Sequence, residues 1–389
     1  MTNKKRLIHI MLREWKRITS NKIYLFCMLG APLGCCLFFI SLMWNGLPTD
    51  MPVALVDLDN SANSRALGRQ LDAFSQTQVT MHCASFAEAR KEMQQGNIYG
   101  IMLIPENFAA DASSGKQPHL SFYTNNSYLI AGSLLFRDMK TVSTLASGSV
   151  GRSLGRVKGQ TDTQIMAQLQ PIVVDTHPLG NPLLNYSVYL NNMLLPGILQ
   201  LIILLITVYS IGIEIKERTA RTWIFAGNNS LSLSLLGKLL PHTLIFFLVG
   251  LGIIMLFYVF LGFPIQSGFT PMMLALLLLI LSSQALGILM IGTLPTLRLG
   301  LSFASLFGML SFSIAGFSFP VSAMYPPIQA LSNLFPLRHY YLIYVDQALN
   351  GRDFFFSCQH YIALLLFLLI PFFILRNLKK ALLYFEYKP

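Results

Sequence analysis

Two carboxylates near the start of the chain have types and a spacing that could do chemistry. Asp57 and Asp59 lie in LVDLDNS, directly after a short β-type run over residues 53–56. A carboxylate pair can act as a general acid and base or bind a metal ion. After a strand and before an Asn/Ser cluster, however, such residues are more often turn and helix-capping groups. We favour the structural interpretation and keep the chemical one as its alternative.

The common catalytic and cofactor-binding motifs are missing from the sequence. Gly237 and Lys238 come nearest to a phosphate-binding G-x-x-x-x-G-K-[ST] loop, but Leu239 follows them and the upstream glycine is lacking. There is no HExxH, GxSxG or CxxC pattern, and the seven histidines are scattered, as expected of surface or interfacial residues. We therefore predict no catalytic residue, no metal site and no cofactor bound by this chain, and hence no enzyme.

A charged stretch between two apolar runs offers binding chemistry instead. Residues 211–227 read IGIEIKERTARTWIFAG and follow LPGILQLIILLITVYS. The charges are those of Glu214, Lys216, Glu217, Arg218 and Arg221. The apolar residues Trp223, Ile224 and Phe225 come next and are expected to be exposed. An exposed apolar patch with a charged rim is typical of a protein-docking site, and the alternative is a helix lying on lipid headgroups.

The elements that would position this stretch are predicted membrane helices. Hydrophobic residues make up 53% of the 389 residues and charged residues 12%, with a mean hydropathy of +0.55. Six runs can cross about 30 Å of hydrocarbon: 22–44, 191–213, 239–262, 271–293, 299–317 and 360–376. Pro241 and His242 make the start of the third run irregular. None has Asp, Glu, Lys or Arg in its interior, which disfavours self-powered, ion-coupled transport.

Residues 45–190 have the pattern of a separate domain. The strand-like runs are 53–56, VTMHC, IYGIMLI and LSFYTNN, and SFAEARKEMQQG is a predicted helix with Ser85 as N-cap and Glu88 three residues later. Residues 128–170 are predicted to be helical, and the four-residue spacing of Gly151, Gly155 and Gly159 favours close packing or loop flexibility over dimerisation. The predicted fold class is an α-helical integral membrane protein with six transmembrane helices and an α/β extracytoplasmic domain inserted between the first and second.

Basic residues set the predicted orientation. With the amino terminus in the cytoplasm, sixteen of the 28 Lys and Arg residues fall in inner segments, and the positive-inside rule places the 45–190 domain outside. The excess positive charge then faces the anionic inner leaflet, so it does not indicate a nucleic-acid partner. Residues 1–21 have the apolar and basic faces of an interfacial amphipathic helix, and the alternative is a signal peptide.

The order of these elements resembles the permease subunits of ABC-type multidrug and lipid exporters, the ABC-2 type transporters, whose ATPase is usually a separate chain. The similarity covers an inner helix (1–21), one span (22–44), the outer domain (45–190) and a five-span domain (191–389). In that family an acidic segment with a threonine, a small turn, a serine and a Gly-Lys pair joins the second and third spans. The matching residues here are Glu214, Glu217, Thr219, Gly227, Ser230, Gly237 and Lys238. Arg218 and Asn229 stand where the family commonly has glycine and proline.

A second resemblance lies in GFSFPVSAMYPPIQALSNLFPLRHYY, which overlaps a predicted outer re-entrant segment at 318–345. Its matching residues are Gly316, Pro320, Pro326, Pro327, Pro336 and Tyr340. In the family, prolines break helices that dip into the membrane, where irregular backbone survives only if protein or water satisfies it.

The resemblance implies a mechanism. Two permease subunits, identical or different, would line a pathway for a hydrophobic or amphiphilic substrate, and two ATPase subunits would bind ATP beneath them. The coupling loop 214–238 would transmit ATPase closure. Glu214, Glu217 and Arg218 would bind the ATPase by charge, with Trp223 and Phe225 as buried anchors, and Thr219, Arg221, Gly237 and Lys238 belong to the same coupling loop.

The predicted location is the cell membrane, which is the inner membrane if the cell is a Gram-negative bacterium, and the count of basic residues predicts that both termini are cytoplasmic. The outer domain would gate release or meet a periplasmic adaptor. A membrane sensor or assembly scaffold that docks a cytoplasmic partner and a nucleotide-independent channel are the alternative functions.

Overall fold

The structure, a computed structural model, describes residues 3–175, 177–182 and 184–384. It divides into two compact units, a membrane unit formed by Met1–Trp44 with Pro178–Pro389 and a second unit formed by Asn45–His177. The chain is mostly helical. In the described residues, six helices are long and apolar enough to cross a membrane, which confirms that part of the predicted fold class.

The membrane unit consists of an amino-terminal helix, six candidate spans and several short helices. The amino-terminal helix is Asn3–Ser20. The spans, numbered in chain order, are Lys22–Leu42, Tyr186–Lys216, Leu231–Phe260, Phe269–Thr293, Leu297–Ile314 and Phe354–Tyr384. A short helix, Ala220–Ala226, links the second span to the third. Between the fifth and sixth spans lie a 3₁₀ turn, Val321–Ala323, two short α-helices, Pro326–Ser332 and Pro336–Ile343, and a π-helical turn, Tyr344–Leu349.

Two predicted span boundaries are wrong, and the difference bears on function. The second helix continues to Lys216 and the third begins at Leu231, so Glu214 and Lys238 lie inside helices and not in a loop. The third helix starts early because the side chain of Ser230 caps it, accepting a hydrogen bond from the backbone of Leu233. Pro241 therefore lies within this helix and not in its first turn.

The second and fourth spans form the centre of the membrane unit. Most residues of both are buried, whereas only about a quarter of the residues of the first, fifth and sixth spans are buried. The fifth span packs on the second through a stripe of small residues, Gly300, Ala304 and Gly308. A Cβ at Gly300 would lie 2.9 Å from Val208, so the glycine permits the close approach of the two helices.

The second unit contains a four-stranded sheet with the order β2-β1-β3-β4. Its strands are β1 (Met51–Asp57), β2 (Thr77–His82), β3 (Gly100–Ile104) and β4 (Ser121–Thr124). β1 pairs in parallel with both β2 and β3, with Val53 opposite Val79 and Gly100, and β4 is antiparallel to β3. Helices Ala62–Asp72, Phe86–Gln95 and Phe108–Ser113 follow the first three strands. The strands predicted from the sequence are all present, displaced by a few residues.

The acidic pair of the second unit has the structural role favoured from the sequence. Asp57 accepts hydrogen bonds from the backbone of Asp59 and Asn60 and from the hydroxyl of Ser64. Asp59 accepts one from the backbone of Ala109. Both carboxylates therefore close turns and helix starts.

Two further helices, Leu129–Val157 and Asp162–Leu169, form a hairpin in the second unit. Gly151 and Gly155 make room for Leu169 and Ile165 of the shorter helix, since a Cβ at either glycine would come within 2.6 Å of those side chains. The close packing expected of these glycines is thus confirmed, and Gly159 ends the longer helix with a φ of 74°.

Candidate functional site

The candidate site is the link between the second and third spans, residues 214–238, which we call the elbow. The second span ends in a tight turn at Glu217 and Arg218, and Arg218 adopts a left-handed φ of 59°. The short helix Ala220–Ala226 follows, and Asn228 and Asn229, both also left-handed, turn the chain into the third span. Asparagine tolerates this conformation better than other non-glycine residues, whereas proline could not adopt it at all.

Glu214 is the centre of an ion network at the elbow. Its side chain is fully buried. Arg13 donates two hydrogen bonds to it, at 2.9 and 3.0 Å, and Arg17 donates a third at 2.6 Å. The hydroxyl of Thr219 and the ammonium group of Lys238, at 2.9 Å, also donate to it. A carboxylate can be buried only with such compensation.

Lys238 extends the network to the amino-terminal helix. Its ammonium group, fully buried, also donates to Glu14 at 2.9 Å, and His242 Nε2 lies 3.1 Å from the other oxygen of that carboxylate. Lys238 Nζ lies 4.9 Å from the ring centroid of Trp223, a cation–π distance. Arg17 completes the network by donating to Glu217 at 2.7 Å. Three carboxylates are thereby matched by three basic side chains.

The network controls the protonation of Glu14. Burial by itself raises the pKa of Glu14, but the hydrogen bond from His242 and the charge of Lys238 outweigh it and lower that pKa to about 2. Burial likewise opposes the charge of Arg17, yet the carboxylates of Glu214, Glu14 and Glu217 raise the pKa of its guanidinium. Both shifts favour the ionised forms of Glu14 and Arg17.

Gly237 and Ile10 bring the amino-terminal helix onto the third span. A Cβ at Gly237 would lie 2.8 Å from Ile10 Cγ2 and 3.4 Å from the carbonyl oxygen of Leu7, so only glycine allows this approach. Ile10, Glu14 and Ile18 form the buried face of the helix, and Ile8, Leu12 and Trp15 remain exposed. The single apolar face expected for this helix is thus divided, with one part against protein and the other facing outward.

The predicted exposure of Trp223 and Ile224 is wrong. Trp223 is 1% exposed, and its indole nitrogen donates to the carbonyl oxygen of Ser234 at 3.3 Å, which joins the elbow to the third span. Ile224 is completely buried, whereas Phe225 is 65% exposed. The helix is amphipathic, and its apolar face packs inside the chain. Of the three apolar residues, Phe225 alone remains as a surface residue of the elbow.

The family of the chain follows from its match to a family model. The model for ABC-2 family transporter protein matches residues 22–375. This is most of the chain. The protein belongs to the ABC-2 transporter family. A comparison with curated proteins gave no significant match. Members of this family are membrane transport subunits that normally act with an ATPase subunit.

The ABC-2 elbow residues predicted from the sequence are brought together by the structure, but with different partners. Glu214 and Lys238 bind each other within the chain, Thr219 donates to Glu214, and Gly237 carries the amino-terminal helix. Glu217 is bound by Arg17. Arg218 is exposed, and Arg221, also exposed, donates to the carbonyl oxygen of Leu383 at 3.2 Å.

Four members of the ABC-2 network were not predicted from the sequence: Arg13, Glu14, Arg17 and His242. His242, expected at a surface or interface, is fully buried. A signal existed, because Glu14 lies four residues from both Ile10 and Ile18, on the apolar stripe of its helix. Lys238 and His242 are likewise four residues apart and share one helix face.

The ABC-2-like residues between the fifth and sixth spans lie away from the elbow. Hydrogen bonds from the backbone of Gln266 and Ser267 to residues 348 and 347 join this segment to the loop between the third and fourth spans. Pro326, Pro327 and Pro336 occupy the first turns of two short helices, where proline is tolerated. Pro320 precedes a 3₁₀ turn, Gly316 has a φ of 101°, and Tyr340 is buried in the core.

Proposed function

We propose that this ABC-2 family protein is the permease subunit of an ATP-driven exporter. The proposal includes a separate ATPase that binds the elbow from the cytoplasm, a second permease subunit, identical or different, and an extracytoplasmic position for the second unit. The chain would then lie in the cell membrane, the inner one if the cell is Gram-negative, with both termini cytoplasmic. The positive-inside distribution of Lys and Arg supports this orientation.

The observation that carries the proposal is the double attachment of the elbow. Glu214 at the end of the second span and Lys238 in the third are bonded to each other and, through Arg13, Arg17 and Glu14, to the amino-terminal helix. A force applied to the elbow would therefore move two spans and this helix together. Such coupling of rigid elements is what a subunit without its own ATPase needs.

The surface that the ATPase would bind is smaller than the sequence suggested. Phe225 provides one exposed aromatic anchor, and Arg218 and Arg221 provide positive charge beside it. Exposed aromatic residues with arginine neighbours are favoured binding hot spots. The carboxylates of Glu214 and Glu217 act inside the permease in this proposal, because Arg13 and Arg17 already neutralise them.

A groove between spans supports a hydrophobic or amphiphilic substrate. Its volume is about 420 Å³, and residues of the first, second and fifth spans line it. The lining is apolar apart from Tyr209, Ser302, Ser305 and the thiol of Cys27. A groove of this size and character accommodates a small apolar molecule and offers it few hydrogen bonds.

Copurification in a mild detergent tests the proposal. The full chain should retain a nucleotide-hydrolysing subunit, and the complex should hydrolyse Mg-ATP faster when a hydrophobic substrate is added. Phe225→Ala combined with Arg221→Gln should reduce retention of that subunit about tenfold or more, as expected for a hot-spot aromatic. Phe260→Ala, which removes an aromatic ring that is 76% exposed at the other end of the third span, serves as the matched control.

Three outcomes would reject the proposal. The first is full retention of the ATPase by the Phe225 variant. The second is a rate of ATP hydrolysis that no added hydrophobic substrate changes, which would favour a scaffold. The third is ion conductance of the purified permease in nucleotide-free bilayers, which would favour a channel.

A further inference from the structure

A second groove on the membrane unit has no role in the proposed coupling or transport. Its volume is about 310 Å³, and it lies between the segment that joins the fifth and sixth spans and the sixth span itself. It is lined by Asn333, His339, Ala363, Leu366, Phe367 and Ile370. The polar residues come from the joining segment, and the apolar ones come from the sixth span.

His339 lines this groove with one ring nitrogen free. The residue is 6% exposed. Its Nε2 lies 3.0 Å from the carbonyl oxygen of Asn333, so Nε2 carries the proton and donates. Burial lowers the pKa of His339, and the neighbouring charge of Arg338 lowers it further, so the ring is neutral. Nδ1 is then a buried acceptor that has no donor among the residues that the structure describes.

Arg338 adds a positive charge beside the groove. Its guanidinium is half-buried and donates to the side chain of Asn333 at 3.4 Å, but it forms no ion pair within the described part of the chain. The carboxylate of Asp346, in the same joining segment, is bound by Arg352 at 3.1 Å. The His360 ring lies 5.8 Å from that of His339. This corner of the membrane unit thus combines a positive charge with a hydrogen-bond acceptor.

The apolar wall of the groove runs along the sixth span. Its residues extend from Ala363 to Ile370, and at about 1.5 Å per residue they cover about 10 Å, enough for part of an acyl chain. Leu366 is 57% exposed, so this wall opens toward the hydrocarbon.

We propose that this groove is a glycerophospholipid site. The lipid phosphate binds Arg338, a hydroxyl or ammonium group of the head group donates to His339 Nδ1, and an acyl chain lies along Leu366 and Ile370. The three features require a phosphate, a hydrogen-bond donor and a tail in one molecule. Phosphatidylglycerol has all three, phosphatidylcholine lacks the donor, and inorganic phosphate lacks the tail. The inference needs only a membrane location and does not depend on ATP-driven transport.

Binding of short-chain lipids to the delipidated full-length protein tests the proposal. The apparent affinity is read from the concentration dependence of the thermal unfolding midpoint. Dihexanoyl-phosphatidylglycerol should raise the midpoint, dihexanoyl-phosphatidylcholine should need about tenfold higher concentration, equivalent to one hydrogen bond, and inorganic phosphate should have no effect. A midpoint shift by inorganic phosphate equal to that of phosphatidylglycerol would overturn the lipid assignment in favour of a free anion.

Two variants separate the phosphate contact from the donor contact. Arg338→Gln should weaken phosphatidylglycerol binding about tenfold, and Arg352→Gln, at an arginine of the same segment that is already paired, should not. His339→Phe should abolish the preference for phosphatidylglycerol over phosphatidylcholine. Unchanged binding by Arg338→Gln would overturn the site, and this result stands even if the His339 variant does not fold.

Discussion

At the elbow, three carboxylates and three basic side chains bind one another within a single network, whereas Arg338 and His339 between the fifth and sixth spans have no acidic partner in the described residues. Both regions belong to the same membrane unit. The elbow uses charge to hold helices together, and the other region leaves a charge available for a ligand. Buried charges are tolerated only when paired, so the first arrangement must stay complete and the second must stay open to its surroundings.

The largest effect should follow from removing Lys238. Lys238→Met removes a lysine bound to both Glu14 and Glu214, and both carboxylates are buried. Breaking a buried pair in this way costs about 3–5 kcal/mol. We expect a corresponding loss in the free energy of unfolding, measured by detergent-denaturant titration of the purified chain.

Two comparisons show whether this loss comes from the unpaired carboxylate. Lys216→Met removes an exposed lysine at the end of the second span and should change stability by no more than about 0.5 kcal/mol. The double variant Lys238→Met, Glu14→Gln should recover part of the loss, because Glu214 keeps Arg13 and Arg17. Equal losses for the two lysine variants would show that the network does not stabilise the elbow.

The second effect concerns the stability of the folded chain at low pH. The pKa of Glu14 is lowered from 4.5 to about 2, so its ionised form stabilises the folded chain above pH 4.5, and this contribution is lost as the pH falls toward 2. At 1.36 kcal/mol per pKa unit, the contribution is about 3 kcal/mol. Glu14→Gln should flatten the decline in unfolding free energy over this window. An acid decline as steep in the variant as in the wild type would show that Glu14 is not its source.

Helices and strands could be predicted because their signals are local. Long apolar runs gave the six spans, and the strand patterns around residues 53–56 and 98–104 correspond to β1 and β3. The predicted ends of the second and third spans are wrong because a charged residue does not end either helix. Glu214 and Lys238 can remain in their helices because each neutralises the other, and such a partner is not visible in either run alone.

The elbow could be located from the sequence, but its buried side chains could not be distinguished from its exposed ones. The charges from Glu214 to Arg221 mark the position of the elbow, yet Trp223 and Phe225 are both large aromatic residues and nothing local separates them. Trp223 is buried against the third span, and the buried carboxylate of Glu214 is bound by an arginine of the amino-terminal helix, about 200 residues away in the chain. Arg13 and Arg17 neutralise the carboxylates of the elbow. A contact between residues so far apart in the chain is not visible in any local sequence pattern.

The smallest predicted change in unfolding free energy comes from backbone conformation, which differs between the two regions. Arg218 adopts a φ of 59°, a conformation that costs a non-glycine residue about 1–2 kcal/mol. Between the fifth and sixth spans, the positive φ of 101° is taken by a glycine, Gly316. Arg218→Gly should relieve the strain, and the greater freedom of glycine in the unfolded chain offsets part of the gain. We expect a net stabilisation of about 0.5 kcal/mol in the same titration.

Arg218→Ala removes the charge but keeps the strained conformation, so it should give no gain in stability. An equal gain from both variants would assign the effect to charge. Gly316→Ala should instead lose more than about 1 kcal/mol, because its Cβ would lie 2.8 Å from Val321 Cγ2 in addition to the strain.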